Sequence, residues 1–417
     1  MKTHQIVIIG GGTAGITVAA QLLKKHNALD VAIIEPSEKH FYQPAWTLVG
    51  AGTFKYEDTI RDEASLIPEG ATWIKDYAEE LHPEKNSLTL RSGEEVSYEY
   101  LVVAPGIKID LTLVEGLAET MNKNGVGSNY VDPKYVWSQV QSFKKGGTAL
   151  FTQPTTQIKC GGAPQKIMYL MSDYLRKKNM LKDSNVIFAT PGSVIFGVKE
   201  FAITLEKVIK RYGIDVRYHH RLKKVDGDKK VAVFDRVEHD ETGCVISLPS
   251  GEPRISEVEV PFDFLHLAPP QTAPDFIKRS KLVHEDGANV GWVKADKNTL
   301  QHPDFPNVFA LGDVAALPTA KTGAAVRKQA PVVVDNLLRL IKGETVMNNE
   351  YTGYSSCPLV TAYGKMVLAE FGYGNERMSD PLISNFVDTT KEQWSMWMLK
   401  KYGLPFMYWN LMLRGKA

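Results

Sequence analysis

Three glycines near the start of the chain have the spacing of a phosphate-binding turn. The apolar residues 6–9 run into Gly10, Gly12 and Gly15, with Ala14 before the last, and a helical pattern follows. In such a strand–turn–helix unit the first glycine permits the turn and the second lets the backbone approach a pyrophosphate. The third lets helix and strand pack closely.

A second apolar segment, residues 31–34, ends in Glu35, twenty residues after Gly15. An acidic side chain at this place accepts a hydrogen bond from a ribose hydroxyl. The combination predicts a dinucleotide site rather than a purely structural glycine turn.

Cys160 has the surroundings of a reactive thiol. It lies just ahead of a helix predicted over residues 164–178, whose positive end favours the thiolate, and Lys159 acts in the same direction. A lone cysteine is more often a small apolar filler, but glycine and lysine neighbours do not suit that role.

The other two cysteines differ in setting. Cys357 precedes an apolar strand, whereas Cys244 follows a polar turn, and we interpret Cys244 as incidental. Because no two cysteines form a C-x-x-C pair, we expect neither a disulfide scaffold nor a structural zinc site, and no metal.

Asp313 ends an apolar strand and precedes a helix that starts near Gly323 and Ala324. An aspartate there can accept a bond from a ribityl hydroxyl, and the helix start can stabilise negative charge on a flavin ring. Lys321 could add to this charge stabilisation, although surface exposure is the commoner fate of a lysine.

Residues 185–212 predict a second strand–turn–helix unit without phosphate chemistry. Its turn, residues 191–197, has no G-x-G-x-x-G pattern, and no acid ends the following strand. His219 and His220 lack metal-ligand spacing, and we expect them at the surface.

Composition sets further limits. The length of 417 residues suggests two or three domains. Because 49 basic residues are balanced by 48 acidic ones, we expect no large basic surface for binding nucleic acid. No apolar run of roughly 18 residues is present, so no membrane span is expected. The first strand begins near residue 5, which leaves no room for a signal or transit peptide.

The last thirty residues are aromatic and Met-rich. Trp394, Trp397, Met398 and Tyr402 recur at helical spacing beside lysines, which suits helices in a bilayer interface. A helix packed on the core and a dimer face are the alternatives.

The motifs together resemble the sulfide:quinone oxidoreductases, in the branch that includes the mitochondrial enzymes. The resembling stretches span nearly the whole chain: residues 35–44, 46–52, 159–170, 356–361 and 405–410. The resemblance implies two Rossmann-like dinucleotide-binding domains, the second without a nucleotide motif, and a C-terminal amphipathic membrane-docking region. The implied segments are 1–110 and 296–345 for the FAD domain, 111–295 for the second domain and 346–417 for the C-terminal region.

The resemblance also implies bound FAD. The implied FAD contacts are Gly10, Gly12, Ala14, Gly15, Glu35, Lys39, Gln43, Ala78, Pro105, Gly106, Asp313, Lys321, Gly323 and Ala324. Cys160 and Cys357 are the implied redox pair. We assign the persulfide to Cys160 and attack on the flavin to Cys357, an order the sequence leaves open. Gly323, Phe386, Phe406 and Tyr408 are candidate quinone contacts.

The expected partners are hydrogen sulfide, ubiquinone or menaquinone, and a sulfur acceptor such as sulfite, glutathione, coenzyme A or polysulfide. We expect a peripheral protein on the cytoplasmic side of a prokaryotic membrane, with homo-oligomerisation open. The alternatives are a type II NADH:quinone dehydrogenase, which would need a glycine-rich turn at residues 191–197 and no paired cysteines, and a non-catalytic flavin-bound sulfide sensor.

Overall fold

A computed structural model describes residues 2–344 and 350–417 of the chain. Its strands are β1 (Lys2–Ile9), β2 (Val31–Ile34), β3 (Lys39–Phe41), β4 (Ile60–Asp62), β5 (Ala71–Ile74), β6 (Ala78–His82), β7 (Ser87–Leu90), β8 (Glu95–Val103), β9 (Lys108–Ile109), β10 (Val126–Gly127), β11 (Thr148–Thr152), β12 (Asn185–Ala189), β13 (Asp215–Arg217), β14 (His220–Asp226), β15 (Val231–Val237), β16 (Ile255–Pro261), β17 (Phe264–Leu267), β18 (Gln271–Thr272), β19 (Val308–Ala310), β20 (Ser355–Ala362) and β21 (Lys365–Phe371).

Its α-helices are α1 (Thr13–Lys25), α2 (Trp46–Val49), α3 (Leu117–Thr120), α4 (Pro133–Ser142), α5 (Ala163–Lys177), α6 (Lys199–Tyr212), α7 (Asp275–Lys278), α8 (Gly323–Ile341), α9 (Pro381–Ser384), α10 (Trp394–Met398) and α11 (Leu404–Asn410).

The first sheet has seven strands in the order β5-β2-β1-β8-β7-β6, with β19 also paired to β8. β1 lies between β2 and β8 and is parallel to both. Residues 6–9 of β1 are buried, because a central strand covered on both faces needs a continuous apolar run. The sheet therefore presents the glycine turn at the carboxyl end of its central strand.

The second sheet has five parallel strands in the order β10-β17-β11-β12-β13. α5 follows β11 and α6 follows β12, so both are strand–turn–helix units of the kind predicted. Two Rossmann-like sheets confirm the predicted fold class.

The alternating apolar pattern of residues 71–81 predicts a single strand, and this prediction is wrong because the segment forms the two strands β5 and β6. β5 and β6 lie at opposite edges of the first sheet. Asp76 makes the corner between them, because its side chain accepts a hydrogen bond from the Tyr77 amide at 2.7 Å and its amide binds the Ile74 carbonyl.

The C-terminal region is a hairpin, β20–β21, followed by helices that pack on the cores of both sheets. Trp397 lies in the core cluster around α5, and Tyr408 lies in the cluster around β1. A π-helical turn, Leu399–Gly403, joins α10 to α11 ahead of Pro405, which has no amide hydrogen to donate one turn back. No helix among residues 2–344 and 350–417 is long and apolar enough to cross a membrane.

We retain the four-segment domain division as a proposal. The first sheet draws its strands from residues 2–103 and 308–310. The boundary proposed between residues 345 and 346 lies outside the described residues.

Candidate active site

The glycines of the first turn have separate geometric roles. Gly10 has φ +100°, and a Cβ there would stand 2.4 Å from the Ala104 carbonyl oxygen. A Cβ on Gly15 would stand 1.8 Å from the Gly10 oxygen, so helix and strand need glycine to pack. A Cβ on Gly12 would meet nothing within 4 Å, which leaves this backbone open to a ligand.

Glu35 closes the other side of this turn. One carboxylate oxygen accepts a hydrogen bond from the Gly11 amide at 2.7 Å, and the other accepts from the Ser37 amide at 2.8 Å. Burial raises the pKa of Glu35, and these two amides partly offset the increase.

A cavity of about 590 Å³ extends from the glycine turn to Cys160, a size typical of cofactor sites. The predicted site residues that line it are Gly10, Gly12, Ala14, Glu35, Lys39, Gln43, Pro105, Gly106, Cys160, Asp313, Lys321, Gly323, Ala324 and Tyr408. The structure places five others outside this lining: Gly15, Ala78, Cys357, Phe386 and Phe406.

Cys160 is held by backbone contacts in a left-handed conformation, with φ +53°. The Cys160 amide donates to the Lys321 carbonyl at 2.8 Å, and the Tyr130 hydroxyl donates to the Cys160 carbonyl at 3.1 Å. α5 begins three residues later at Ala163. The thiol is therefore fixed between the glycine-turn side of the cavity and the start of α5.

Lys166 is the cation that contacts this thiol. Its amine is buried and donates to the Cys160 sulfur at 3.0 Å. A hydrogen bond from Cys357 and the charge of Lys166 hold the pKa of Cys160 well below its usual value. Burial alone lowers the pKa of Lys166, but the nearby thiolate charge outweighs burial and raises it.

Lys159, expected to assist Cys160, has a different neighbour. Burial lowers its pKa, and the charge of Asp313 opposes that effect. Lys166 lies within the stretch 159–170 that carries the family resemblance, but the sequence analysis assigned it no role. The signal that could have found it is its place in the first turn of α5, close to Cys160.

Cys357 lies behind Cys160 in β20 and is buried. Its sulfur packs against Gly162, where a Cβ would approach it to 2.4 Å. The hydrogen bond with Cys160, together with burial, raises the pKa of Cys357 well above its usual value. The structure thus brings the two predicted cysteines into contact, and Cys244 is separate and exposed.

A second buried lysine, Lys400, was not predicted. It lines the cavity, and its amine donates to the Pro44 carbonyl at 2.7 Å. Burial, reinforced by the charge of Lys166, lowers the pKa of Lys400 to about 7.

Lys321, a predicted cofactor contact, is also buried and does not have the surface exposure that is commoner for a lysine. Its amine donates to the Ala315 carbonyl at 2.9 Å and lies 4.1 Å from the centre of the Trp292 ring. Burial lowers its pKa to about 8, with Asp313 opposing. His220 likewise is buried rather than at the surface, and its ring packs on Phe234.

Tyr408 connects α11 to the glycine turn. Its hydroxyl lies 2.8 Å from the Thr13 hydroxyl and 2.6 Å from His40 Nε2. His40 Nδ1 lies 3.1 Å from a Glu63 carboxylate oxygen. This chain of four side chains, Glu63–His40–Tyr408–Thr13, ends at the start of α1, directly after the glycine turn, and not at the cysteines.

The fold and site define a two-sheet, dinucleotide-binding disulfide oxidoreductase. Residues 4–142 match the family model "Pyridine nucleotide-disulphide oxidoreductase". The chain is 42% identical to the mitochondrial sulfide:quinone oxidoreductase of Mus musculus over 417 residues, covering 99% of this chain and 87% of that protein. The mitochondrial sulfide:quinone oxidoreductase of Dictyostelium discoideum is also 42% identical, with 99% and 86% covered.

A solved structure agrees in fold. The sulfide:quinone oxidoreductase of the bacterium Aquifex aeolicus superposes with a TM-score of 0.79 at 20% identity, covering 100% of this chain and 92% of that one. The chain belongs to the sulfide:quinone oxidoreductase family and is an oxidoreductase.

Proposed function

We propose that this enzyme oxidises hydrogen sulfide to sulfane sulfur and passes two electrons to a membrane quinone. Family membership supports the reaction class. The observation that carries the proposal is the Cys160 sulfur, held 3.0 Å from the buried Lys166 amine and in contact with Cys357, at the wall of a cofactor-sized cavity.

FAD is the cofactor that suits the cavity. The backbone at Gly12 has free space beside it, and positions 10 and 15 have no room for a side chain. Both features are those of a pyrophosphate-binding turn. Glu35 would face the ribose, and Asp313 with the start of α8 would face the ribityl chain and ring. When bound, FAD would take the electron pair from the sulfur side and release it to the quinone.

In the sulfur half-reaction, hydrosulfide attacks a Cys160–Cys357 disulfide. One S–S bond forms as the other breaks, leaving a persulfide on one cysteine and a thiolate on the other. The thiol of lower pKa is the better leaving group. Lys166 gives Cys160 that property, so we propose the persulfide on Cys357 and the thiolate on Cys160, the reverse of the order assigned from sequence.

For the quinone, we propose the part of the cavity beside the C-terminal helices. The apolar residues of these helices that line the cavity are Ile383, Leu399, Leu404 and Met407, and Gly323 lines the same cavity. Phe386 and Phe406 lie outside it and are 88% and 61% exposed. They suit the membrane surface better than the quinone ring.

We propose that the protein docks on a membrane through this region. Trp394, Tyr402 and Phe406 follow one another at intervals of eight and four residues and are exposed, although Trp397 and Tyr408 in the same region are buried. Solvent-exposed aromatic side chains next to a lysine such as Lys401 are typical of a protein surface that binds at a lipid–water interface.

Anaerobic mixing tests the proposed function. Sulfide should bleach the flavin of the purified enzyme, NADH should not, and decylubiquinone should restore the colour. Cys160→Ala and Cys357→Ala should each abolish bleaching while FAD stays bound, and Cys244→Ala should behave as wild type. Full sulfide turnover in either of the first two variants would refute the two-cysteine scheme. Added sulfite, glutathione or coenzyme A then identifies the sulfur acceptor.

A further inference from the structure

The β20–β21 hairpin has two chemically different faces. Cys357 pairs with Ala369, whereas Ser356 pairs with Glu370. Because neighbouring side chains on a strand point to opposite faces, Cys357 and Glu370 project in opposite directions. Glu370 lines the cavity, together with Ser356, Pro358 and Leu368.

Glu370 is an ionisable group in an unusual place. Only 2% of it is exposed. One carboxylate oxygen accepts a hydrogen bond from the Tyr354 hydroxyl at 2.5 Å, and the other accepts from the Asp380 amide at 3.1 Å. Both donors are uncharged, whereas buried carboxylates are usually paired with a cation.

Tyr354 lies on the same wall of the cavity. The charged groups facing it come from α8: Arg327 and Lys328 lie 5.9 Å and 5.8 Å from the centre of its ring. An apolar lining residue of the proposed quinone site, Ile383, lies close to this pair, because its amide donates to the Asp380 carbonyl at 3.1 Å and Asp380 binds Glu370.

Reduction of a quinone to a quinol adds two electrons and two protons. A reduced flavin supplies a hydride equivalent, which is two electrons with one proton, so the second proton must come from elsewhere. Lys400 is engaged with Pro44, and its charge acts on Cys160 and Cys357 on the sulfur side. Tyr354 and Glu370 are the ionisable pair beside the apolar part of the cavity.

We propose that Tyr354 and Glu370 supply the second proton to the quinone. The quinone oxygen takes the Tyr354 hydroxyl proton, and the phenolate is reprotonated from solvent water by way of the Glu370 carboxylate, its hydrogen-bond partner. Solvent has access at the partly exposed Asp380, whose amide binds the same carboxylate. Tyr354 is the catalytic residue, and Glu370 is the residue that positions and reloads it. This inference rests on the proposed quinone site.

The test separates the two half-reactions by stopped flow. Tyr354→Phe and Glu370→Gln should slow reoxidation of the sulfide-reduced enzyme by decylubiquinone about 100-fold, a usual loss for a general acid. Bleaching by sulfide should stay within about twofold of wild type. The solvent deuterium isotope effect on reoxidation should change in both variants, and Glu370→Asp should restore part of the rate.

Glu392→Gln is the matched control. The Glu392 carboxylate accepts a hydrogen bond from the Thr361 hydroxyl of β20 at 2.5 Å and pairs with Arg211, and Glu392 does not line the cavity. It should leave both half-reactions unchanged.

Wild-type reoxidation rates and isotope effects in Tyr354→Phe would overturn the proposal, and this variant decides the matter alone if Glu370→Gln fails to fold. If sulfide does not reduce the wild-type enzyme, the proposed function fails instead. Dithionite-reduced enzyme mixed with the quinone then still tests the proton pair.

Discussion

A lysine inside a protein keeps its charge only where an anion is close, and Cys160 provides that anion for Lys166. Their contact of 3.0 Å stabilises ammonium and thiolate together. The contact favours the thiolate of Cys160, which is the form that acts as a nucleophile and as a leaving group in thiol–disulfide exchange. The Lys166–Cys160 pair, together with the hydrogen bond from Cys357, therefore bears on the proposed sulfur chemistry.

Replacing Lys166 by Met should raise the pKa of Cys160 towards its ordinary value. Because each unit of pKa changes the thiolate fraction about tenfold, alkylation by iodoacetamide near pH 6 should slow at least about tenfold. The rate is measured against pH in a Cys244→Ala background, and Lys166→Arg, which keeps the charge, should stay close to wild type. An unchanged pH profile in Lys166→Met would show that another group sets the thiolate.

At this scale the sequence predicted what is local. The glycine turn and the position of Cys160 just ahead of α5 depend on adjacent residues, and both could be predicted from the sequence. Lys400 and Glu370 reach the cavity from elements far along the chain, so their roles follow only from tertiary packing. Burial of a lysine or glutamate also runs against its usual tendency.

At the scale of elements, the start of α5 fits against β20 with no room to spare. A methyl group at Gly162 would stand 2.4 Å from the Cys357 sulfur, whereas one at Gly161 would meet nothing within 4 Å. We expect Gly162→Ala to displace Cys357 and to cost about 1–3 kcal/mol of unfolding free energy.

Gly162→Ala should also slow bleaching by sulfide at least about tenfold, and Gly161→Ala should change neither quantity. Chemical denaturation and stopped-flow bleaching measure the two effects. Equal behaviour of the two variants would contradict the close fit.

The Tyr408 hydroxyl connects helix α11 to Thr13, the first residue after the glycine turn. Tyr408→Phe leaves the Thr13 hydroxyl and His40 Nε2 without this partner, at a cost of about 1–3 kcal/mol. We expect a lower melting temperature and faster loss of FAD on dilution, followed by flavin fluorescence. Tyr402→Phe, on an exposed side chain, is the control, and a normal FAD release rate in Tyr408→Phe would disprove the link.

Element prediction succeeded where periodicity was strong. The pattern of residues 199–212 predicts a helix, and α6 has these bounds; α5 begins and ends one residue before its prediction. The prediction for residues 71–81 failed because the turn at Asp76 divides an alternating pattern that is typical of one strand. The aromatic tail was recognised as helical, but which aromatic residues face inward depended on the cores of both sheets.

At the scale of the whole molecule, the exposed aromatic side chains face away from both cores. Trp394→Ser with Phe406→Ser should reduce binding to lipid vesicles at least about tenfold, since each buried aromatic contributes about 1.5–3 kcal/mol. Cosedimentation with vesicles of phosphatidylcholine and phosphatidylglycerol measures this. Ile203→Ser, another exposed apolar residue on α6, is the control. Undiminished binding of the double variant would contradict the docking surface.

The last described residues pack on α1, the helix of the glycine turn. Gln21 donates to the Ala417 carbonyl across 396 residues of chain, and Gly415 lies against the Ala20 backbone. A ribosome adding about 5–20 residues per second makes α1 about 20–80 s before this segment. The outer face of α1 is covered only after residues 404–417 have left the exit tunnel. Stable flavin incorporation is therefore expected only once residues 404–417 have emerged and can pack on α1.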